Sequence, residues 1–153
     1  MKVLIVGGCS SLAQELKSRL SDFCQVLTSG RKNCDIYMDL SDPIDKITIP
    51  SGIDAIIHTA AHFGGKSDQE IIEAENVNAV GTLKLCHAAA SANVKHFVLI
   101  STIFSTFSED SNHYNIYSIS KKHAEDLANY YCKLNNLPLC ILKPSQIYGE
   151  GEM

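Results

Sequence analysis

The fold of this chain is decided by residues 3–13, which read VLIVGGCSSLA. The first four residues are apolar and mostly β-branched, which predicts a strand buried on both faces of a parallel sheet. Two glycines follow, and Ser11 with Gln14 forms a predicted capping box that opens a helix to about Leu20. A glycine turn between strand and helix presents backbone N–H groups that suit a pyrophosphate. The stretch therefore predicts a dinucleotide-binding turn, with an ordinary strand-to-helix turn as the alternative.

The rest of the chain alternates between strand and helix patterns. Short apolar runs at residues 55–57, 97–100 and 139–142 predict further buried strands, and residues 25–28 and 35–38 predict weaker ones. A second capping box at residues 67–70 opens a helix that is predicted to reach about Ala92. A third helix is predicted from about Tyr114 to Asn136, with apolar or small residues every three or four positions. This alternation predicts one α/β domain with a parallel sheet and right-handed crossovers.

Composition excludes several classes of protein. The net charge is −4, and the longest basic clusters are doublets, so we expect no nucleic-acid partner. No apolar run is long enough to span a membrane or to serve as a secretory signal, so we expect a cytoplasmic protein with no membrane partner. The six cysteines are then expected to be reduced and mostly buried. His58 and His62 are four residues apart, but His58 ends a predicted strand, so no metal site is expected.

The end of the second predicted strand bears on the choice of cofactor. Residues 28–32 read TSGRK and contain no carboxylate. Folds that prefer NAD place Asp or Glu here to bind the ribose 2′-hydroxyl, whereas Arg31 can pair with a 2′-phosphate. The sequence therefore favours NADP(H) over NAD(H), with a solvated basic loop as the alternative.

Two residues of the third predicted helix suggest proton transfer. Tyr117 and Lys121 are four residues apart and therefore lie on one helix face. A lysine ammonium beside a phenol favours the phenolate and lowers the tyrosine pKa, so the tyrosine can exchange a proton with a substrate oxygen. The preceding strand ends at Thr102, whose hydroxyl can orient a carbonyl.

Taken in order, these features resemble the extended branch of the short-chain dehydrogenase/reductase superfamily, the NAD-dependent epimerases and dehydratases. The resemblance covers nearly the whole chain. Its segments are the first strand and glycine motif at 3–8, the acidic-apolar pair at 39–40, the fourth strand and its loop at 54–61, the helix motif at 78–82, the strand at 97–102, the Tyr-Lys helix at 117–125, and the segment at 142–149.

The resemblance implies a Rossmann-like, doubly wound parallel sheet in three αβα layers. It implies that Thr102 orients the substrate oxygen and that Tyr117 is the general acid/base. Lys121 would bind the nicotinamide ribose and lower the pKa of Tyr117, and Asn78 would support the hydrogen-bond network. The implied cofactor-binding residues are Gly7, Ser10, Ser11, Leu12, Arg31, Asp39, Leu40, Thr59, Ala60, Ala61, Asn78, Lys121, Pro144 and Ile147.

The implied activity is an NAD(P)-dependent epimerisation, dehydration or reduction of a nucleotide sugar or related carbohydrate through a transient keto intermediate. The alternatives are a simple NADPH-dependent carbonyl reductase and a non-catalytic dinucleotide-sensing or scaffold domain. Ser10 and Ala13 replace two glycines of the family turn, and Ser10 is expected to crowd the pyrophosphate. Residues 1–153 resemble the NAD(P)-binding domain only, without the family's C-terminal substrate lobe. We therefore expect the chain alone not to turn over, and its apolar rim to bind a second copy or a C-terminal segment.

Overall fold

The computed structural model describes residues 1–148, and these form a six-stranded parallel sheet. The strand order is β3-β2-β1-β4-β5-β6, the order of a doubly wound dinucleotide-binding sheet. This confirms the predicted fold class. The strands are β1 (Lys2–Val6), β2 (Gln25–Gly30), β3 (Ile36–Tyr37), β4 (Ala55–His58), β5 (His96–Ile100) and β6 (Leu139–Leu142).

The helices lie between the strands, as predicted. They are α1 (Ser11–Leu20), α2 (Asp68–Ala74), α3 (Gly81–Ser91) and α4 (Ile116–Leu134), with short 3₁₀ turns at Ile44–Lys46 and Ile103–Thr106. The single helix predicted from residue 67 to about residue 92 is interrupted by a π-helical segment, Glu75–Val80, that separates α2 from α3. The capping box marks where this helix begins, but the sequence contains no comparable local signal for the widening.

The caps correct one prediction and confirm another. The N-cap of α1 is Ser10, not Ser11, and its Oγ accepts a hydrogen bond from the Ala13 backbone N–H at 3.2 Å. The Gln14 side chain instead donates to the Gly8 carbonyl oxygen. The second capping box is present as predicted over residues 67–70.

Apolar clusters lie on both faces of the sheet, between the strands and the helices that cover them. Alternate residues of β1 point to opposite sides, and all four apolar residues from position 3 to 6 are buried. Leu4 packs in a large cluster with residues of α3 and α4, whereas Ile5 packs in a smaller cluster with Ala13 of α1. The sheet is therefore the middle of the three predicted layers.

The cysteines are less buried than predicted. All six are free thiols, but only Cys86 and Cys132 are buried; Cys9 and Cys140 are exposed, and Cys24 and Cys34 are intermediate. The prediction that most are buried is wrong, because the other four lie in loops or in the edge strand β6 rather than under a helix. Among residues 1–148, no helix is long and apolar enough to cross a bilayer.

Candidate functional site

A groove of about 770 Å³ lies at the carboxyl ends of the central strands. The strand order reverses between β1 and β4, and this switch point is where open α/β sheets bind ligands. Predicted residues that line the groove are Gly7, Ser10, Arg31, Asp39, Leu40, Thr59, Ala60 and Ala61. Lining residues that were not predicted to bind the cofactor are Val6, Cys9, Gly30, Lys32, Met38, Ser41, His62, Phe63, Glu73 and Val77.

Six predicted cofactor-binding residues do not line this groove: Ser11, Leu12, Asn78, Lys121, Pro144 and Ile147. Ser11 and Leu12 belong to the first turn of α1, which contains no acidic residue and so presents an unopposed positive helix end to the groove. Pro144 and Ile147 follow β6 at the edge of the sheet, three strands away from β1.

The glycine turn is held against the loop that follows β4. Gly7 has φ of +93°, and a Cβ there would lie 2.5 Å from the Ala60 backbone nitrogen. The Gly7 and Gly8 backbone N–H groups donate to the Ser29 carbonyl oxygen at 2.9 and 3.0 Å. Only glycine at position 7 allows this conformation and this close approach, and both shape the groove wall.

Ser10 does more than occupy the place of a glycine. Its Oγ accepts the capping bond from α1 and lies 3.4 Å from the Thr59 Oγ1. Thr59 in turn donates to the Val6 carbonyl oxygen at 2.9 Å. The Ser10 side chain therefore takes part in the packing between the turn and the β4 loop, while it also lines the groove.

The far end of the groove is basic. Arg31 and Lys32 line it directly after β2. Asp39 lies there too, but its Oδ1 accepts hydrogen bonds from the Ser41 backbone N–H at 2.9 Å and from the Ser41 hydroxyl at 2.7 Å. Burial raises the pKa of Asp39, but the bonds from Ser41 and the nearby positive charges outweigh it and lower the pKa overall. The Asp39 carboxylate is thus ionised, and its Oδ1 is already hydrogen-bonded to Ser41.

The Tyr-Lys pair lies on α4, but its electrostatics differ from the sequence-based expectation. The Lys121 ammonium is buried and donates to the Ile100 carbonyl oxygen at 2.6 Å, at the end of β5. Burial lowers the pKa of Lys121 to about 8, although the charge of Glu125 opposes the shift. Burial also raises the pKa of Tyr117, so the expected lowering by Lys121 is wrong for this structure. Lys121 does not line the groove, because its ammonium is bound to the strand.

An aromatic contact connects Tyr117 to the groove. The Phe63 ring, which lines the groove, lies 5.2 Å from the Tyr117 ring, measured between centroids, at an interplanar angle of 30°. Phe63 itself is 78% exposed. Sequence reasoning missed this residue because it lies in a loop without periodicity.

Asn78 joins the π-helical segment to the loop and to α4. Its amide nitrogen donates to the His62 carbonyl oxygen at 2.7 Å and to the Ser120 hydroxyl at 2.9 Å, and its carbonyl oxygen accepts from the His62 backbone N–H at 2.7 Å. Asn78 thereby fixes both the groove loop and the helix of the Tyr-Lys pair.

Glu125 joins α4 to the segment that carries Thr102. This buried carboxylate accepts hydrogen bonds from the hydroxyls of Ser101 and Ser105, the latter at 2.6 Å, and pairs with the Lys143 ammonium at 2.7 Å. Burial raises the pKa of Glu125, but these partners outweigh it and lower the pKa overall. The sequence signal for this group was its position four residues after Lys121, on the buried face of α4.

Thr102 follows β5 and caps the next 3₁₀ turn. Its Oγ1 accepts from the Phe104 backbone N–H at 3.3 Å, and the residue is buried. An accepting hydroxyl keeps its own proton for a further hydrogen bond. Thr102 can therefore still donate to a substrate oxygen.

His58 is a structural residue in this arrangement. It is fully buried at the end of β4, and its Nε2 lies 2.9 Å from the Thr82 hydroxyl oxygen. Burial lowers its pKa to about 3, with a further contribution from the Lys121 charge, so the ring is neutral. Among the described residues, no group of three or more His, Cys, Asp or Glu side chains could hold a metal ion.

Known proteins share this sequence pattern and fold. CDP-abequose synthase of Salmonella typhimurium strain LT2 is 25% identical over 71% of this chain and 36% of that protein. The 3β-hydroxysteroid dehydrogenase/Δ5→4-isomerase of Vaccinia virus strain Copenhagen is 31% identical over 76% of this chain and 39% of that protein. The solved structure of UDP-N-acetylglucosamine 4-epimerase from Bacillus cereus superposes with a TM-score of 0.77, 25% identity, and coverage of 99% of this chain and 63% of that chain.

The chain spans between about a third and two thirds of the length of the relatives it matches. The family model for the NAD dependent epimerase/dehydratase family matches residues 4–153. Its match begins inside β1 and includes the glycine turn, the groove loop and the Tyr-Lys helix. The chain therefore belongs to the NAD dependent epimerase/dehydratase family.

Proposed function

We propose that residues 1–153 are the dinucleotide-binding domain of an epimerase/dehydratase-type oxidoreductase that acts on a nucleotide sugar or related carbohydrate. The observation that carries this proposal is the groove at the switch point of the sheet, with Tyr117 beside it across Phe63. The groove's volume is that of an ordinary small-molecule site, and its glycine turn, helix end and basic loop suit a pyrophosphate and a ribose phosphate. The site thus fits a nicotinamide dinucleotide, which supplies hydride acceptance and donation when bound.

The chain's own residues supply orientation and proton transfer. Tyr117 carries its proton at neutral pH, because burial raises its pKa, and in that state it donates to a carbonyl oxygen in the reductive direction. Thr102 donates a second hydrogen bond to the same oxygen. The Lys121 ammonium is already hydrogen-bonded to the Ile100 carbonyl oxygen. Its role is therefore to place a positive charge near Tyr117 and near a ribose hydroxyl of the cofactor.

We propose NADP(H) as the preferred cofactor. Arg31 and Lys32 line the groove after β2, and the only nearby carboxylate that lines it on that side, within residues 1–148, is Asp39, which is occupied by Ser41. A charge-assisted bond to a phosphate contributes about 1.5–3 kcal/mol, so Arg31→Ala should weaken NADP⁺ binding about tenfold or more and leave NAD⁺ binding nearly unchanged. Arg19→Ala is the matched control, because Arg19 is an exposed arginine paired with Glu15 on α1. Equal affinities for NADP⁺ and NAD⁺ in the unchanged protein would refute the preference.

The substrate class is proposed from the activities of two matched proteins, CDP-abequose synthase and UDP-N-acetylglucosamine 4-epimerase. The test is a single-turnover assay at 340 nm with bound NADP⁺ and, in separate arms, nucleotide sugars, a free uronate and a 3β-hydroxysteroid. We expect one slow reduction of the bound cofactor, without continued turnover, only with a sugar substrate, and no reduction in Tyr117→Phe. Reduction by the steroid alone would overturn the carbohydrate assignment, and binding without reduction in any arm would favour a sensing domain.

A carbonyl reductase is the second candidate, and the raised pKa of Tyr117 favours it. A tyrosine that holds its proton is a better acid than base at neutral pH. Simple carbonyl compounds with NADPH therefore form a further arm of the assay. Their reduction at a rate above that of every nucleotide sugar would support the reductase instead.

A further inference from the structure

Two thiols lie in contact beside the glycine turn, and one of them lines the groove. Cys9 belongs to the glycine turn and Cys34 to the loop after β2, 25 positions along the chain. Their sulfur atoms are 3.5 Å apart, and the Cys9 thiol also contacts the Lys32 carbonyl oxygen at 2.6 Å. Cys9 is exposed and lines the groove, whereas Cys34 is half-buried.

The fold makes room for this pair. A Cβ on Gly8 would lie 3.0 Å from the Cys34 sulfur, and a Cβ on Gly30 would lie 3.1 Å from it. These distances are too short for ordinary packing, so the two glycines create the space that the sulfur occupies. Asn33, with φ of +50°, turns the loop back so that Cys34 reaches this space. Both thiols are thus held in place by the backbone on either side.

A second close pair provides an internal comparison. The sulfur atoms of Cys86 and Cys132 are 3.8 Å apart, nearly as close as the groove pair, but both residues are buried in the main core. A dissolved oxidant reaches Cys9 from the groove, and it does not reach the core pair without unfolding. Access rather than distance therefore distinguishes the two pairs.

We propose that Cys9 and Cys34 are a site of reversible disulfide formation by exchange with an oxidised low-molecular-weight thiol. The Cys9 thiol loses its proton, and the thiolate attacks one sulfur of the small disulfide, which releases one reduced small thiol and leaves a mixed disulfide on Cys9. The Cys34 thiolate then attacks the Cys9 sulfur and releases the second reduced small thiol. Two protein thiols are oxidised, one small disulfide is reduced to two thiols, and no other oxidant is needed.

The order of attack follows from exposure. Cys34 is partly desolvated and contacts Cys9, and both effects raise its pKa. The exposed Cys9 is therefore the thiol that meets the oxidant first, and Cys34 is the resolving thiol.

The bond changes the groove, and this step rests on the proposed function. Closing the sulfur separation from 3.5 Å to about 2.05 Å draws the glycine turn and the Cys34 loop together. It also removes the Cys9 contact to Lys32, which lines the groove beside Arg31. We expect oxidation to weaken NADP⁺ binding about tenfold, and bound NADP⁺ to disfavour the disulfide by the same factor, because coupling between two binding equilibria is reciprocal.

The disulfide is tested without any cofactor. The 153-residue chain is equilibrated with mixtures of oxidised and reduced glutathione, alkylated, and digested with trypsin without reduction. We expect a cross-link between the peptides 3–17 and 33–46, no link between Cys86 and Cys132, and reversal by reduced glutathione. Cys34→Ser should instead accumulate glutathione on Cys9, and the exposed-thiol control Cys140→Ser should form the cross-link normally.

Two results would overturn the proposal: a mixed disulfide on Cys9 that never passes to Cys34, or oxidation of the core pair at the same rate. The effect on the groove is measured separately, by titrating NADP⁺ into the reduced and the cross-linked chain. If the reduced chain binds no dinucleotide, the proposed function fails while the disulfide stands. If both forms bind NADP⁺ equally well, the coupling to the groove is refuted.

Discussion

We predict that Glu125 stabilises the domain by joining α4 to the segments that follow β5 and β6. Glu125→Gln keeps the shape of the side chain but replaces one accepting oxygen by a donating NH₂ group. Both serine hydroxyls donate to Oε1, so the amide oxygen can still accept from both, but the NH₂ group then takes the place of Oε2 and faces the Lys143 ammonium. Breaking a fully buried ion pair costs about 3–5 kcal/mol, and Lys143 is one-third exposed, which reduces the cost. We therefore expect a loss of about 2–3 kcal/mol in the free energy of unfolding at pH 7.

The assay is equilibrium urea unfolding of the unchanged protein, Glu125→Gln, Lys143→Met and the double variant. The coupling free energy should be about 1–3 kcal/mol. The matched control is Glu15→Gln, which breaks an exposed ion pair with Arg19 and should cost no more than about 0.5 kcal/mol. Because the folded-state pKa of Glu125 is lowered, its contribution is present above the ordinary glutamate pKa of about 4.3 and is lost as pH falls further. A loss below about 1 kcal/mol, or a coupling near zero, would refute the reasoning.

Three further outcomes follow from the structure. Gly7→Ala should lower the free energy of unfolding by roughly 2 kcal/mol or more in urea, because its Cβ meets the Ala60 backbone at a positive φ; a loss under about 0.5 kcal/mol would contradict this. Ser10→Gly should cost only a few tenths of a kcal/mol as a cap change and should tighten NADP⁺ binding in a titration; unchanged or weaker binding would show that the serine hydroxyl is accommodated. The pKa of Lys121 is lowered to about 8, so between about pH 8 and pH 10.5 the folded state has lost a proton that the unfolded state still holds. Over that range the free energy of unfolding of the unchanged protein should rise by about 2–3 kcal/mol relative to that of Lys121→Met. The same pH dependence for both proteins in urea unfolding would exclude the shift.

The sequence predicted the fold because the signals for the fold are local. Apolar runs, glycine turns and two capping patterns identified the strands and most helix starts, and the structure confirms the order of elements. The error at α1 arose because Ser10 and Ser11 are both good caps, and the choice between them depends on where the Oγ of Ser10 packs against Thr59. Local sequence does not contain that tertiary contact.

The groove was predicted only in part, because local sequence does not show tertiary contacts. Residues in motifs were found, whereas Phe63 and Cys34 were not, because their importance comes from a neighbour distant in sequence. Phe63 matters through Tyr117, 54 positions later, and Cys34 through Cys9. The pKa of Tyr117 was misjudged because helix spacing gives no measure of how deeply a phenol is buried or where a lysine ammonium finds its acceptor.

Buried side-chain contacts hold the helix that carries Tyr117 and Lys121 against its neighbouring elements. Asn78 binds Ser120, which lies between the two residues of the pair, and Glu125, one turn after Lys121, binds the segments that follow β5 and β6. Both contacts are buried and use side chains rather than backbone, so they fix the position of the helix along its axis as well as its distance from the sheet. The proton transfer proposed for Tyr117 requires its oxygen to be held to within a fraction of an ångström of the acceptor. The buried polar groups of this domain are therefore concentrated where that positioning is required, which is why we expect substitutions at Glu125 to alter both stability and the geometry of Tyr117.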